Sequence, residues 1–256
     1  MNQSDSDAYL AKKHFFNRLL TVYGRKPVLE ALQQPGVEPY RLHLAESNKS
    51  APIIDDIRTL AQKRGAEICY HNRQALSRIS KNAKQDQGVA VDLVCSGLQT
   101  LDSFLQNNRH KPYTLLALDG ITNPQNLGMI IRSATAGNID GIILPSKGSA
   151  SIDPLVIKAS AGTVFRATLL RTEQAMAKSL QHCRDQGADI CGLSSHAART
   201  LKQFSTQGAC VFVLGNETDG ISKEVENICN LWVKIPMNNG VESLNVAVTA
   251  ALIAFR

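Results

Sequence analysis

Three polar, glycine-containing segments in the second half of the chain carry the residue types that could bind a ligand or do chemistry. The first is Asn123–Gly128 with Arg132 after it, the second is Leu214–Glu217, and the third runs from Ile235 to Asn245. Each follows an apolar stretch that predicts a strand. In a parallel α/β sheet, ligands bind at the loops that leave the carboxyl ends of the strands. We therefore expect these segments to contribute to one site.

Arg132 is the most informative side chain of the first segment. It follows Ile130 and Ile131 in a predicted helix, and this apolar setting predicts that the guanidinium is drawn partly into the interior. A permanent charge is costly there unless it is paired or faces a polyanion. A functional role and a structural salt bridge therefore both remain open for Arg132. Asn126 stands where the N-cap of the same helix is expected.

The second and third segments suit a neutral ligand. Gly215 would let the backbone approach a ligand closely, and Glu217 would stand at the carboxyl edge of the sheet. In the third segment Pro236 ends a strand, and Ser243 is a candidate N-cap for the last helix. Backbone donors and acceptors in such loops can hold a purine and its ribose. A turn glycine followed by a solvated glutamate is the alternative interpretation of the second segment.

Six apolar stretches, most of them separated by helical segments, predict the strands that position these loops. Continuous apolar strands between helices are typical of a parallel sheet covered on both faces. The second half of the chain is therefore predicted to be an α/β domain with a mainly parallel sheet and helices on both faces. Its strands are predicted at 113–118, 141–144, 167–170, 190–193, 210–214 and 231–235.

The first half shows a shorter alternation of strands and helices. Strands are predicted at 41–44, 67–70 and 89–94, and apolar residues at helical spacing predict a helix over 53–61. A length of 256 residues suits two domains. We therefore divide the chain into an amino-terminal tail or helix (1–20), a small α/β domain (21–96), a linker or short connecting helix (97–112) and a larger domain (113–256).

The chain is basic, with 28 Lys and Arg against 22 Asp and Glu and a formal net charge of +6. This balance favours an anionic partner, nucleic acid first. Residues 1–96 carry 14 basic and 10 acidic side chains, a net charge of +4. The small domain is therefore the expected polyanion-binding half. For its basic segment between Arg73 and Lys84, a merely solvated helix face is the alternative.

Several classes of protein are disfavoured by the sequence. An apolar content of 43% excludes a disordered chain, and none of the patterns G-x-G-x-x-G, G-x-x-x-x-G-K-[ST], H-E-x-x-H or G-x-S-x-G occurs. The six cysteines lack zinc-site spacing and indicate reduced thiols. The amino end lacks a signal peptide, and the longest apolar run, 246–255, is too short to cross a bilayer. We expect a cytoplasmic protein with no metal and no membrane partner.

The three segments, in this order, resemble the signature motifs of the SpoU family of RNA 2′-O-ribose methyltransferases, within the SPOUT superfamily. The matching stretches are N-P-Q-N-L-G-x-x-x-R at 123–132, L-G-N-E-x-x-G-I-S at 214–222 and I-P-M-x-x-x-x-E-S-L-N-V at 235–246. Residues 22–32 and 87–89 look like the small RNA-binding domain of the ribosomal-RNA guanosine methyltransferases of this family. The resemblance covers roughly 22–255.

This resemblance implies a SPOUT domain whose carboxyl end forms a trefoil knot, an exception to the rule that chains are unknotted. It implies S-adenosylmethionine as cofactor and a homodimer in which both subunits complete each site. Structured RNA is the implied substrate, with ribosomal guanosine favoured over transfer RNA. The implied cofactor contacts are Leu214, Gly215, Ile235, Met237 and Leu244. The candidate RNA contacts are Arg25, Lys26, Arg73, Arg78 and Lys81.

The same motif matching gives a catalytic set of Asn126, Arg132, Glu217, Ser243 and Asn245. A protonated ribose 2′-hydroxyl is a poor nucleophile, and a positioned base or oxyanion stabiliser typically supplies about 100- to 10,000-fold. The family resemblance suggests Arg132 as that base. A guanidinium remains protonated at neutral pH, so oxyanion stabilisation and phosphate positioning by Arg132 are at least as compatible with its chemistry.

Two other functions compete with an RNA methyltransferase. The chain could be a catalytically silent RNA-binding or ribosome-assembly protein, although it keeps Asn126, Arg132, Glu217 and Asn245. It could also be a doubly wound enzyme for small molecules, which the missing phosphate-binding glycines and the basic accessory domain disfavour.

Overall fold

A computed structural model describes Lys12 and residues 15–256 of the chain. The chain divides into two compact units, of which the first ends at Gly97 and the second begins at Leu98. The predicted tail or helix over 1–20 lies mostly outside the described residues, and the first strand already begins at Leu19.

The first unit is built on a four-stranded sheet of order β1-β4-β2-β3. Strands β2 and β3 are parallel, whereas β4 runs antiparallel to both β1 and β2. The carboxyl ends of β1, β2 and β3 therefore lie at the same edge of the sheet as the amino end of β4. The elements are β1 (Leu19–Tyr23), α1 (Arg25–Gln33), β2 (Glu38–Ala45), α2 (Pro52–Lys63), β3 (Glu67–His71), α3 (Arg73–Ser80) and β4 (Val89–Val94).

A row of hydrogen-bonded polar side chains crosses one face of this sheet. Thr21 Oγ1 donates to Asp92 Oδ1 at 2.6 Å, and Asp92 Oδ2 lies 3.1 Å from His43 Nε2. His43 Nδ1 lies 3.0 Å from His71 Nε2. Burial, together with the charges of His43 and Arg41, lowers the pKa of His71. Burial opposes ionisation of Asp92, but the hydrogen bonds from His43 and Thr21 outweigh it and lower the pKa of that carboxyl.

We expect the stability of the protein to fall as the pH is lowered from about 7.5 to about 5.5. The pKa of His71 lies below 6.5 in the folded chain, so the unfolded chain binds more protons in this range. The contribution of His71 is present above pH 6.5 and is lost as the pH falls from there towards the folded pKa. Thermal unfolding followed by circular dichroism at a series of pH values measures this slope.

The variant His71→Gln should make that pH dependence shallower, because it removes the titrating imidazole. The control is His110→Asn, which replaces an exposed histidine in a left-handed backbone conformation that asparagine tolerates. A slope that is the same in His71→Gln as in the parent would contradict the assignment to His71.

The second unit contains a sheet in which, over residues 98–256, eight strands lie in the order β10-β12-β9-β11-β6-β7-β8-β5. Every neighbouring pair is parallel. All six predicted strands are present, with ends that differ by up to two residues. The strands are β5 (Leu98–Thr100), β6 (Thr114–Leu118), β7 (Gly141–Pro145), β8 (Leu169–Thr172), β9 (Asp189–Leu193), β10 (Arg199–Thr200), β11 (Cys210–Leu214) and β12 (Leu231–Lys234).

Helices cover both faces of this sheet, as predicted. Alternate residues of β6 and β11, such as Leu115 and Val211, pack in one core with α4, α7 and α8. Phe212 points to the other face, where α9 packs against β11 and α5 packs against both α9 and α6. The helices are α4 (Leu101–Asn107), α5 (Pro124–Ala136), α6 (Pro154–Ala159), α7 (Met176–Asp185), α8 (Lys223–Glu226) and α9 (Val246–Ala254), with 3-10 turns at Thr163–Phe165 and Leu201–Gln203.

The segment 97–112 contains a short helix, which was one of its two predicted forms, but the helix packs into the second unit. Strand β5 pairs with β8 at the edge of the large sheet, and α4 follows it directly. Leu101, Phe104 and Leu105 are buried in the core of the second unit. These apolar side chains, three or four residues apart on a helix, remove surface from water, which explains why the segment packs rather than spans.

Candidate functional site

The three polar segments leave strands that lie close together in the sheet. Strands β12, β9, β11 and β6 are consecutive neighbours and all parallel, so their carboxyl ends share one edge. The first segment follows β6, the second follows β11 and the third follows β12. After β6 the chain moves to β7 on one side, while β11 lies on the other. Such a point of diverging connections forms a crevice for ligands in open α/β sheets.

One hydrogen-bonded chain of side chains joins the three segments. Asn126 Nδ2 donates to Glu217 Oε1, and Asn245 Nδ2 donates to Asn126 Oδ1 at 3.1 Å. Asn126 is only 7% exposed, whereas Glu217 is exposed at the edge of the sheet. These residues are 91 and 119 positions away from Asn126 in the sequence. The fold therefore places an amide, a carboxylate and a second amide in one connected group.

Two predicted helix caps are wrong. Asn123, not Asn126, caps α5: its Oδ1 accepts hydrogen bonds from Gln125 N at 2.8 Å and from Asn126 N at 3.4 Å. Pro124 occupies the first helical position, where proline is favoured, so the cap is the residue before it. The side chain of Asn126 is thereby free to bond Glu217.

Asn245, not Ser243, caps α9. Asn245 Oδ1 accepts from Ala247 N at 2.8 Å, and the helix begins at Val246. Ser243 is exposed in the preceding loop. The side-chain amide of Asn245 therefore makes two contacts: its oxygen caps the helix and its nitrogen donates to Asn126.

Arg132 does not lie in the interior as its neighbours in sequence predicted. Its side chain is exposed on α5. Consecutive helix positions diverge by about 100°, so Ile130 and Ile131 can face the core while Arg132 faces away. Within the described part of the chain, the Arg132 guanidinium has neither a hydrogen bond nor an ion pair. The structural salt bridge that the sequence left open is therefore absent from this set of residues.

A cavity of about 550 Å³ opens beside Glu217. Its volume lies within the range of small-molecule sites, about 300 to 1,000 Å³. Its walls come from the ends of β9 and β11, the loop after β11, and the chain leading into α9. Five of the predicted site residues line it: Leu214, Gly215, Glu217, Ser243 and Leu244.

Ile235 and Met237 are the two predicted cofactor contacts that this cavity lacks. Both lie half-buried just after β12. Gly215 lines the cavity, but a Cβ there would clash with the backbone of Gly220 and Ile221. Glycine at this position is thus required by the loop itself, independently of any ligand.

The end of β9 was not among the predicted site residues. Leu193 lines the cavity beside Glu217, and Leu193, Ser194 and His196 line a second cavity of about 630 Å³ together with Trp232. The two cavities share Leu193, Gly220 and Ile221. A loop after an apolar strand was a signal for Ser194 and His196. Only the order of the strands, with β9 between β11 and β12, shows that the loop belongs to the site.

The predicted RNA contacts lie in the first unit, several of them at the edge where β1, β2 and β3 end and β4 begins. We call residues 24–26, 46–51, 72–73 and 81–88 the loop edge. Arg25 bonds within it: its Nε donates to Gln87 O at 3.3 Å and its Nη2 to Asn48 Oδ1 at 3.5 Å. Asn48 Nδ2 donates to Gly88 O at 2.7 Å. These bonds fix three of the loops to one another.

Four other basic side chains project from the surface of this unit, where they can contact an anion. Lys84, at the end of the predicted basic segment, and Lys49, which was not predicted, are also exposed in the loop edge. Arg78 lies in the last turn of α3, just outside it. The exposed predicted contacts, without an ion-pair partner among the described residues, are Lys26, Arg73, Arg78 and Lys81.

Other features of the described residues concern metals, membranes and thiols. Among them, no group of three or more His, Cys, Asp or Glu is arranged to hold a metal ion. No helix in the part of the chain that the structure describes is long and apolar enough to cross a membrane. Burial raises the pKa of Cys183, Cys191 and Cys210 to about 12, so these thiols are poor nucleophiles at neutral pH.

Residues 113–255 match the SpoU rRNA methylase family, and residues 21–94 match a domain described as RNA 2′-O ribose methyltransferase substrate binding. A protein of Mycolicibacterium vanbaalenii described as an uncharacterized tRNA/rRNA methyltransferase is 32% identical over 234 residues, 91% of this chain and 74% of that relative. A protein of the same description from Mycobacterium avium is 32% identical over 91% of this chain and 75% of its own.

Solved structures share the fold. The SpoU methyltransferase AviRb from Streptomyces viridochromogenes, in complex with the cofactor AdoMet, gives a TM-score of 0.63 at 22% identity over 98% of this chain and 91% of that one. An AdoMet-bound rRNA methyltransferase from Sinorhizobium meliloti gives a TM-score of 0.61 at 23% identity over 93% and 86%.

The family match covers more than half of the chain, and relatives above 30% identity cover most of its length. The resemblance of the three motifs is thereby confirmed. The chain belongs to the SpoU family and is an RNA methyltransferase.

Proposed function

We propose that this protein transfers a methyl group to a ribose 2′-hydroxyl of structured RNA, with guanosine of ribosomal RNA favoured over transfer RNA. The methyl donor is S-adenosylmethionine, as membership of the family implies. The observation that carries the proposal is the hydrogen-bonded chain Asn245–Asn126–Glu217, which ends at a carboxylate that lines the cavity. These polar groups can orient a hydroxyl, and the cavity can hold a nucleoside.

The cavity suits the cofactor in size and in the nature of its walls. Leu193, Leu214 and Leu244 give apolar surface for an adenine, and the loop around Gly215 presents backbone groups for a ribose. When bound, the cofactor supplies an activated methyl group on a positively charged sulfonium. The residues of this chain need only align the accepting oxygen with that methyl group and assist loss of its proton.

Each polar residue has a role in this proposal. Glu217 and Asn126 orient the ribose, and Asn245 holds Asn126 through the 3.1 Å hydrogen bond. Ser243 lies on the cavity wall within the same loop. Arg132 is exposed and has no ion pair or hydrogen bond with the residues that the structure describes, so its guanidinium is available to stabilise the developing oxyanion and an adjacent phosphate.

We propose that the protein acts as a homodimer through the outer faces of α5 and α9. Val248, Leu252 and Phe255 project from one face of α9 and are 48%, 42% and 62% exposed. Met129 on α5 is 41% exposed, one turn before Arg132. Clustered exposed apolar side chains of this size mark an interaction site. A second copy of the chain is the proposed occupant, because Arg132, one turn after Met129 on α5, has no ion-pair partner among the described residues and a shared site would use it.

We propose the loop edge as the RNA-binding surface of the first unit. Its exposed lysines can contact phosphates, while the hydrogen bonds from Arg25 to Gln87 and Asn48 hold together the loops that carry them. The match of residues 21–94 to a substrate-binding domain supports this placement. The trefoil knot and the cytoplasmic location remain predictions that accompany the proposal.

Charge reversal at Lys26 and Lys81 should weaken RNA binding without changing the chemistry. We expect the double variant Lys26→Glu, Lys81→Glu to raise the Kd for substrate RNA about 10- to 100-fold and to reduce the salt dependence of binding. Filter binding at several salt concentrations measures both, and kcat at saturating RNA should stay near the parent value. The control is Lys63→Glu, Lys12→Glu, outside the loop edge. Equal losses in the two double variants would refute a role specific to this edge.

The experiment that tests the proposed function is a map of ribose methylation. RNA from cells with and without the protein is digested and analysed by mass spectrometry, and the purified protein is then assayed on the RNA that changes. We expect one ribosomal position to lose its 2′-O-methyl group. A change confined to transfer RNA would correct the substrate, and an unchanged map would favour the catalytically silent RNA-binding or assembly protein.

A further inference from the structure

Asn216 ties together two of the loops that build the site. Its Nδ2 donates to Gly120 O at 2.9 Å, in the loop after β6. Its Oδ1 accepts from Thr218 N at 2.8 Å and from Asp219 N at 3.3 Å, in the loop after β11. One half-buried amide group therefore fixes both loops at once.

Further hydrogen bonds join the loop after β6 to the loop after β11, and we call this set of contacts the junction. Asp119 N donates to Leu214 O at 2.8 Å, and Asp119 Oδ2 accepts from Ser222 N at 2.8 Å. The backbones of Asn216 and Gly220 exchange two hydrogen bonds, each of 2.9 Å. The turn that carries Glu217 is thus closed on itself and anchored to the loop that leads into α5.

This junction sets the relative position of Glu217 and Asn126. Glu217 lies between Asn216 and Thr218, which are bonded to each other, and Asn126 lies in the first turn of α5 a few residues after Gly120. We propose that Asn216 is a positioning residue for methyl transfer, which holds the Glu217 carboxylate in register with the Asn126 amide. This inference rests on the proposed function, because it assigns Asn216 an effect that acts through Glu217.

The chemistry of the side chain supports this role. The amide nitrogen of Asn216 is directed to a carbonyl of its own chain, so it is engaged in linking loops. No other natural side chain of this length offers a donor and an acceptor on one planar group. Because the turn is exposed at Glu217, Thr218 and Asp219, water can replace lost hydrogen bonds. Removing the amide should therefore loosen the register without unfolding the domain.

The first test is Asn216→Ala. We expect kcat to fall about 10- to 100-fold, because a misplacement of about 1 Å can cost that much in rate. Because Asn216 also lines the cavity beside Glu217, kcat is measured at saturating S-adenosylmethionine and the Kd for the cofactor is determined separately. The matched control is Asn230→Ala: Asn230 also links two segments, accepting from Ile190 N at 2.7 Å and donating to Asp189 Oδ1 at 2.9 Å, but at the opposite edge of the sheet. Its kcat should change less than about twofold.

A conservative variant distinguishes the effect of the hydrogen bond to Gly120 O from the effect of the hydrogen bonds within the turn. Asn216→Asp keeps an acceptor for the amides of Thr218 and Asp219 but loses the donor to Gly120 O. We expect its kcat to fall by about as much as that of Asn216→Ala, within about threefold. A kcat at the parent value in Asn216→Asp would overturn the proposed positioning role of the bond from Asn216 to Gly120 O. This measurement is possible even if Asn216→Ala fails to fold.

The decisive measurement is a double-mutant cycle with Glu217→Gln, read as single-turnover rates at high enzyme concentration. If Asn216 acts through Glu217, Asn216→Ala should change the rate less than about twofold in the Glu217→Gln background. Equal losses in both backgrounds, or an unchanged rate in the parent background, would overturn the inference. The parent rate in the same assay is the separate check, since a parent that methylates no ribose hydroxyl would overturn the proposed function itself.

Discussion

Arg132→Ala is expected to lower the rate of methyl transfer about 100- to 1,000-fold while the Kd for S-adenosylmethionine stays within about threefold. The guanidinium is exposed on α5 and lies outside the lining of the cavity beside Glu217, so its loss should leave cofactor binding intact. The developing negative charge on the ribose oxygen would lose its strongest donor, which explains the size of the effect.

Single-turnover methylation measures the rate, and the fluorescence of Trp232 during a cofactor titration is the proposed measure of cofactor affinity. Trp232 is the only tryptophan of the chain, and it lines the cavity that shares Leu193, Gly220 and Ile221 with the one beside Glu217. Calorimetry provides the independent value. The control is Arg109→Ala, an exposed arginine before β6 at the other edge of the sheet. A rate within about threefold of the parent in Arg132→Ala would remove Arg132 from the mechanism.

A lysine variant distinguishes the two roles that the sequence left open for this residue. Arg132→Lys keeps a positive charge but loses the planar fork, so oxyanion stabilisation predicts a partial loss with an unchanged pH profile. If residue 132 acted as the base, the rate of the lysine variant would instead rise steeply with pH towards about 10, where a lysine begins to lose its proton.

The sequence predicted the elements of the large sheet well because its strands are continuous apolar runs, such as Cys210–Leu214, bounded by polar loops. The predictions from sequence were wrong where they depended on which way a side chain points. The burial of Arg132 was wrong because adjacent residues on a helix face different sides, and the cap at Asn126 was wrong although Pro124 marked Asn123 as the better cap. Both errors were correctable from local geometry.

Other features of the site required the tertiary structure. The order of the strands brings Leu193 and His196 to the same edge as Glu217, and no local pattern encodes that order. The bond from Asn216 to Gly120 spans 96 positions of sequence. In the first unit, the loop edge follows from strand directions: because β4 is antiparallel to β2, the loop 81–88 joins the loops after β1, β2 and β3. A strand can be predicted from its local sequence, but the strands with which it pairs are determined by the whole chain.

The second large effect is expected from the outer face of α9. Val248→Glu combined with Leu252→Glu should convert the proposed dimer into a monomer at micromolar concentrations and lower activity at least about 100-fold. Charged carboxylates cannot be buried there without a partner, and both positions are already exposed in the single chain, so folding should survive. Size-exclusion chromatography with light scattering measures the mass. The control is Tyr70→Glu, an exposed large side chain of the first unit.

Mixing two inactive variants shows whether the dimer shares its sites. Asn126, Glu217 and Asn245 are hydrogen-bonded within one chain, whereas Arg132, exposed on α5, has no partner in residues 15–256 or at Lys12. If each site takes Arg132 from the partner subunit, co-refolded Arg132→Ala and Glu217→Ala chains should recover about a quarter of the parent activity, since half the dimers then hold one intact site of two. If each chain uses its own Arg132, heterodimers contain no intact site and the mixture stays inactive. A parent protein that is monomeric at micromolar concentration would contradict the dimer before any mixing, and activity in that monomer would place Arg132 and Glu217 in one chain.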